Sequence, residues 1–543
     1  MATTPSGSSI GTWKKMGVYL GSSIMLALGY ADPGNWASDI AAGSQFGFRH
    51  LFIVLLSSLI AIFLQTLCLR IGIVTGIDLA AGCRERYSRP VSFLLWISAE
   101  IAIAATDMAE VIGSAVALKL LFGLPTIAGV WVTALDVLLL MAVSGRRFYI
   151  LEITVAFFAC IILVCFTIEL ALVKADPISV LIGFLPSSAL VTNADSMLLA
   201  ISILGATVMP HNLYLHSSLV INKKTGNNGA ISDEEEQSLL SLGTAKLSDI
   251  LPASTSSSRV VDAHQLDSSL HEDQQQQHKQ YNERISSPAQ EVEAAAKAAR
   301  EGTGITDSTA NDVATTAAID AVVRLDQQSD GSASVGTVSV PLPLQSITEN
   351  EVMDSIRAAT IDTARCLFLA LFVNAAILIT AAAAFHTSGH DDVATLEEAY
   401  EILGNVLPNG RAAAILFGIA LLASGQSSTI TGTIAGQVVM EGFLQIKVAP
   451  NLRRLLTRLV AIIPSAIAAG LGGDSGINML LIVSQVVLSF QLPFAVIPLL
   501  HIVSDEKVMG KFSIKGFRLY LGWGIAILII SLNCWLIVKQ FIE

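Results

Sequence analysis

Ala31-Asp32-Pro33-Gly34-Asn35 interrupts the first apolar run of this chain, and Ala206-Thr207-Val208-Met209-Pro210-His211-Asn212 interrupts the sixth. Each places a proline where a membrane helix would otherwise continue. Proline in mid-helix removes a backbone hydrogen bond and clashes with the preceding turn, at a cost of about 3 kcal/mol. Inside a bilayer the freed carbonyls are tolerated only where protein or a cavity satisfies them. Broken helices at matching positions of two halves point to a midplane site between inverted repeats. Matching the first run to the sixth divides the chain into five plus five helices and one extra.

The surrounding composition agrees. Of 543 residues, 53% are hydrophobic and only 14% charged, against roughly a quarter charged in soluble domains. Mean hydropathy is +0.63. Apolar runs long enough to cross a bilayer core fall at 16–46, 51–74, 91–121, 127–144, 148–173, 196–221, 358–384, 411–441, 456–471, 477–503 and 517–538. The chain therefore reads as an all-α integral membrane protein of eleven transmembrane helices, with the lipid bilayer as its surroundings. The first run opens into a motif with no cleavage site, so it reads as a retained helix rather than a signal peptide. The cysteines (Cys68, Cys83, Cys160, Cys165, Cys366 and Cys534) form no C-x-x-C pattern and read as buried small hydrophobes.

The domain reading is a short N-terminus 1–15, helices one to six over 16–222, an insertion 223–355 and helices seven to eleven over 356–543. The insertion holds 21 acidic against 9 basic residues, which accounts for the whole net charge of −12. The remainder is neutral, so no basic surplus suggests a nucleic-acid partner. The insertion is rich in Ser, Thr, Gln and Asp, buries too little apolar area to offset chain ordering, and reads as disordered. It is either a tolerated linker or a contact point for regulatory partners. Lys14, Lys15, Arg84, Arg86, Arg89, Arg146, Arg147, Lys223 and Lys224 fall in loops of one side. Because positive loops stay inside, the N-terminus and the insertion are expected to be cytoplasmic.

The donors at the two breaks are of mixed kind. Asp32 offers an anionic oxygen, Asn35 an amide oxygen, Met209 a thioether sulfur, and Ala31 and Ala206 backbone carbonyls. Oxygens alone suit Ca²⁺ and Mg²⁺, whereas adding sulfur favours Mn²⁺, Fe²⁺ and later metals. The bland alternatives are a kink for the proline and core filling for the methionine. Asp32 is harder to explain that way, since an intramembrane charge is costly and usually functional.

These motifs resemble the NRAMP family of proton-coupled divalent metal transporters. The resemblance rests on Ala31–Ser44, on Gly205–Ser218 (GATVMPHNLYLHSS), on Gly425–Leu444 (GQSSTITGTIAGQVVMEGFL) and on Ser484–Pro498 (SQVVLSFQLPFAVIP). It covers all the spans and departs only across the insertion, where relatives have a short connection. It implies a LeuT-like inverted repeat, and a fungal-type manganese or iron carrier is the form it suggests. It also implies metal ligation by Asp32, Asn35, Met209 and the Ala206 carbonyl, joined by Gln485 in some states. The alternative for Gln485 is an interhelical hydrogen bond.

For protons, Glu100, Asp107 and Glu110 lie seven and three residues apart, on one face of the third helix. The resemblance matches its acid pair to Asp107 and Glu110, with Arg454 and Arg458 as pairing partners. His211, with its near-neutral ordinary pKa, and less directly His216, read as proton-handling or as plain helix histidines. The acids read alternatively as a structural ion-pair network. His386, His390, Asp391 and Asp392 form an outer loop that is either solvated or a metal funnel. Asn374 reads as an interhelical hydrogen-bonding residue.

The expected function is proton-coupled import of Mn²⁺ and Fe²⁺, with Co²⁺, Cd²⁺ and Zn²⁺ as further candidates. No cofactor or enzymatic activity is expected, since metal ions and protons are the transported substrates. The rivals are a same-fold organic-solute transporter and a metal-sensing or signalling protein. Plasma, vacuolar and endosomal membranes are all compatible.

Overall fold

Every regular element among the described residues is a helix, the one open-ended structure that satisfies its own backbone in lipid. The computed structural model describes residues 19–133, 148–188, 190, 193–224, 349–390, 393, 395–406, 410–445 and 460–542. In chain order the helices are α1 (Leu20–Gly29), α2 (Pro33–Phe46), α3 (Leu51–Thr75), α4 (Leu79–Arg86), α5 (Arg89–Phe122), α6 (Phe148–Val173), α7 (Pro177–Gly183), α8 (Ala194–Val208), α9 (Pro210–Lys224) and α10 (Glu349–Ala384). They continue with α11 (Leu396–Val406), α12 (Gly410–Leu444), α13 (Gly473–Ser504), α14 (Glu506–Met509) and α15 (Phe517–Ile542). Further helical stretches cover 126–133 and Val460–Gly472.

Eight described helical runs are long and apolar enough to cross a membrane, and Leu20–Gly29 and Val460–Gly472 are shorter apolar helices. The first and sixth runs are each two helices, split at the two quoted motifs. The expected fourth and ninth spans are described only to residue 133 and only from residue 460, so Arg454 and Arg458 lie outside the described residues.

Burial grades the helices from centre to rim. In the most apolar stretch of Ala194–Ile221, the run that holds the second break, 94% of residues are buried, against 28% in those of Ile150–Val173 and Phe517–Lys539. The rim helices expose Phe157, Val164, Tyr520 and Ile527 outward, as a lipid-facing surface requires. Cys160 and Cys534 share that rim and are exposed, which corrects the expectation that all six cysteines are buried; all six are free thiols. Trp36 of α2 is fully buried, edge-on to Phe166 of α6 at 4.8 Å and to Phe417 of α12 at 5.3 Å.

Three short helices escaped the hydropathy pattern. α4 is capped by Asp78, which accepts from Ala81 N at 2.8 Å, and α7 by Asp176, which accepts from Ser179 N at 2.9 Å. α11 opens on a capping box: Thr395 N donates to Glu398 Oε2 at 3.0 Å and Glu398 N donates to Thr395 Oγ1 at 3.1 Å. Lys119, near the C-terminus of α5, pairs with Glu397 of α11 at 3.4 Å. α10 is described from Glu349, within the stretch 223–355 read as the insertion. Glu349 and Glu351 lie in its first turn, where the helix dipole favours acids. Lys511 reaches Glu349 at 2.6 Å.

α8 and α13 pack backbone to backbone at Gly205. A Cβ there would lie 2.8 Å from Ser489 N and 2.9 Å from Ser489 Cβ, whereas one at Gly524 of α15 would meet nothing within 4 Å. Overpacking costs about 1–3 kcal/mol. Gly205→Ala is therefore expected to lower the melting temperature of the detergent-solubilised protein by several degrees, with Gly524→Ala within a degree of wild type. Thermal unfolding followed by size-exclusion chromatography measures both.

Candidate functional site

Both breaks are helix starts forced by proline. Asp32 is the N-cap of α2: its Oδ1 accepts from Asn35 N at 3.0 Å, and Pro33 holds the first helical position. Helix N-termini favour that pairing, since the cap satisfies one orphan N–H and proline removes another. α1 closes before it, with Tyr30 N and Ala31 N bonding back to Ala27 and Leu28 at 3.1 Å. At the second break α8 ends at Val208, and Met209 takes φ 38°, ψ 97° before Pro210 opens α9. Such a backbone costs about 1–3 kcal/mol in a residue other than glycine, and the following proline disfavours the helical alternative. Pro210 has no N–H, so the Ala206 carbonyl loses its helical donor.

Asn35 supplies the replacement. Its Nδ2 lies 2.7 Å from Asp32 Oδ1, 3.0 Å from Tyr30 O and 3.1 Å from Ala206 O. An amide NH₂ has two protons, and here it faces three oxygens, one from a carboxylate. The oxygens thus converge from both breaks on one buried point. Asp32 Oδ2 and Asn35 Oδ1 are buried without a hydrogen-bond partner. Gln485 arrives from α13 and packs its amide onto Gly34, where a Cβ would collide with it. Its Nε2 donates to Ser484 Oγ at 2.9 Å, and its Oε1 has no partner. Met209 is fully buried against Ala105 and Leu488, and its Sδ accepts from Asn212 Nδ2 at 3.3 Å.

The structure thus brings Asp32, Asn35, Ala206 and Gln485 together, with Met209 at the second break. It removes Ala31 from the candidate donors: its carbonyl accepts from Trp36 Nε1 at 3.1 Å and from the Ser424 hydroxyl. Asn374 makes the interhelical bond expected of it, donating to Tyr30 O at 3.0 Å. Among the described residues no three His, Cys, Asp or Glu side chains gather as a metal cluster. A site at this point therefore draws on amide, carbonyl and thioether donors beside a single carboxylate.

The acid pair lies one layer away. Asp107 and Glu110 of α5 are buried and both abut Gly432 of α12, where a Cβ would lie 3.4 Å from Asp107 Oδ1 and 3.1 Å from Glu110 Oε1. His211 reaches the same helix, with Nδ1 3.5 Å from Thr106 Oγ1. Glu100 stands apart, half-buried two turns along α5, and accepts from Trp96 Nε1 at 3.0 Å. His216 sits in a buried relay: Nδ1 to Gln65 Oε1 at 3.0 Å and Nε2 to Thr363 Oγ1 at 3.3 Å. Gln65 Nε2 in turn donates to the Tyr30 hydroxyl at 2.7 Å. Of the outer set, His386 and His390 are exposed, His386 bonds Ser44 O at 2.9 Å, and Asp391 and Asp392 lie outside the described residues.

Three residues of this region were not foreseen. Asn212 follows the quoted histidine directly and is itself a polar group in a membrane helix. Ser424 precedes a quoted motif by one residue. Asp39 lies seven residues after Asp32, so helical periodicity alone places it on the same face.

Two broken helices crossing at a polar, buried midpoint within an apolar bundle define a membrane carrier architecture. Residues 23–255 and 343–539 match the Nramp family, described as natural resistance-associated macrophage protein-like. The chain is 39% identical over 528 residues to the divalent metal cation transporter MntH of a Nostoc species, spanning 97% of this chain and 92% of that protein. It is equally identical to the MntH of Mesorhizobium japonicum, spanning 97% and 89%. The crystal structure of a single-residue variant of the Eremococcus coleocola manganese transporter superposes with a TM-score of 0.69 at 30% identity, covering 98% of this chain and 88% of that one. The chain belongs to the Nramp family of integral membrane proteins.

The Ala206 carbonyl depends on proline at position 210. In Pro210→Ala a backbone N–H becomes available to it, competing with Asn35 and favouring a continuous helix. Metal uptake by proteoliposomes is expected to fall at least tenfold, with the melting temperature equal to or above wild type. Radiotracer uptake and thermal unfolding of the same preparation check this.

Proposed function

We propose that this protein imports divalent transition-metal ions, Mn²⁺ and Fe²⁺ foremost, into the cytoplasm together with protons. The observation that carries the reading is the convergence of Asp32 Oδ1, Tyr30 O and Ala206 O on the Asn35 amide. Oxygens that crowd around one electropositive group are arranged for a cation. Rotating the Asn35 amide about its last torsion would exchange its NH₂ for its oxygen and complete an oxygen set with Asp32 and Ala206. Met209 then adds the soft donor that separates transition metals from Ca²⁺, and Gln485 adds a further oxygen as the helices move. The names of the relatives, divalent metal cation transporters and a manganese transporter, agree with this cargo.

The helices would work as an inverted repeat of five plus five, with an eleventh appended and the N-terminus cytoplasmic. Access would alternate about the breaks, where few backbone hydrogen bonds resist bending. The proton would travel by Asp107, Glu110 and His211, which share one helix interface beside the site, with Glu100, Arg454 and Arg458 extending the path. The insertion would be cytoplasmic, as a tolerated linker or a contact point for regulatory partners.

Met209→Ala tests the cargo. It removes the sulfur and leaves oxygens, which hold Ca²⁺ well. Ca²⁺ is expected to begin competing with Mn²⁺ uptake, and Cd²⁺ affinity to fall most, by tenfold or more. Uptake that is slower but equally insensitive to Ca²⁺ would return Met209 to a packing role.

Asp107→Asn tests the coupling. Metal binding is expected to stay within about threefold of wild type, while metal-evoked acidification of vesicles drops severalfold. A pH-sensitive dye sealed inside the proteoliposomes reads the second quantity; wild-type acidification would route the proton elsewhere.

A further inference from the structure

α2 has the sequence PGNWASDIAAGSQF, and its one charged residue is Asp39. Asp39 is 1% exposed, and neither carboxylate oxygen has a hydrogen-bond partner. It follows Asp32 by seven residues and Asn35 by four, which puts all three on one helix face. Seven residues rise about 10 Å along the axis. α2 carries this face from the break toward the Gly47–His50 turn, where Arg49 is exposed. Asp39 therefore lies midway between the proposed site and the surface.

The residue is held in this position. Ser38 Oγ lies 2.6 Å from Ser202 Oγ of α8 and donates to Gly34 O at 3.1 Å. Trp36 is wedged between Phe166 and Phe417. Ala37, Ala41, Ala42 and Gly43 of the same helix are small. α13 carries another buried oxygen without a hydrogen-bond partner: Asn478 precedes Gln485 by seven residues, is 9% exposed, and its Oδ1 has no partner.

An unpaired buried carboxylate costs several kcal/mol, and a second carboxylate on the same helix, at Asp32, adds to it. We infer that Asp39 is an outer station where a divalent cation pauses on its way to Asp32. This rests on the reading of the helix breaks as the metal site. The station offers only hard oxygens, so it holds Ca²⁺ and Mn²⁺ alike and leaves selection to the inner site with Met209. Its role is to raise the local concentration of dications next to Asp32, which acts on capture at low metal rather than on the saturated rate.

Mn²⁺ titration of the full-length protein in lipid nanodiscs, with bound ion counted by electron paramagnetic resonance, tests this in three variants. Asp32→Asn is expected to keep one ion, at least a hundredfold weaker than wild type and displaced by equimolar Ca²⁺. Asp32→Asn with Asp39→Asn is expected to bind none. Asp39→Asn alone is expected to raise the apparent KM for Mn²⁺ uptake about tenfold, more than it lowers kcat; the substitution is isosteric and removes a buried charge, so folding is retained. Residual binding that survives loss of Asp39, no ion in Asp32→Asn, or a wild-type KM in Asp39→Asn would each overturn the outer station. Wild-type affinity in Asp32→Asn would overturn instead the ligand assignment at the breaks, and the uptake KM of Asp39→Asn would still read Asp39 by itself.

Discussion

Two missing N–H groups organise this protein. Pro33 and Pro210 cannot donate to the turns before them, and in lipid a carbonyl left without a donor must find one within the protein. The Ala206 carbonyl finds it in the side chain of Asn35, 171 positions earlier in the chain. That bond joins the two breaks, and the other groups are arranged around it. Tyr30 is held by Asn374, Ala31 by Trp36 and Ser424, and Gly34 is bare so that Gln485 can lie against it. The centre is accordingly polar and nearly wholly buried, while the rim helices turn apolar side chains such as Phe157 and Ile527 outward.

The breaks were legible in the sequence because proline acts on its own neighbours, whatever the fold. Asp32, Asn35 and Met209 could be named for the same reason: they stand next to the proline that exposes the backbone. What could not be read was which freed carbonyl stays available. Ala31 and Ala206 look alike along the chain, and only packing shows that Ser424, 393 positions away, closes the first. The acid pair followed from helical spacing, whereas the separation of Glu100 from it depends on Trp96, a local bond that periodicity does not reveal. Asp39 satisfies the same spacing rule, seven residues after Asp32, but stands next to no proline.

Hydropathy was a good guide to long helices and a poor one to their ends and to the short ones. α4, α7 and α11 are fixed by capping side chains at Asp78, Asp176 and Thr395 rather than by apolar stretches. The Thr395–Glu398 box is itself a sequence signal, readable as a threonine followed three residues later by a glutamate. Cys160 and Cys534 show the converse error: an apolar neighbourhood in sequence means burial in the membrane, and in this bundle that includes facing lipid.

The contact between Lys119 and Glu397 gives this architecture a lever. Lys119 stands nine residues beyond Glu110 on the same unbroken helix, and Glu397 belongs to the short helix α11. A stiff rod pinned at one end transmits rotation along its whole length. Any movement of that end of α5 would therefore be felt by α11 through this pair, which ties the helix bearing the acid pair to a short neighbour far along the chain.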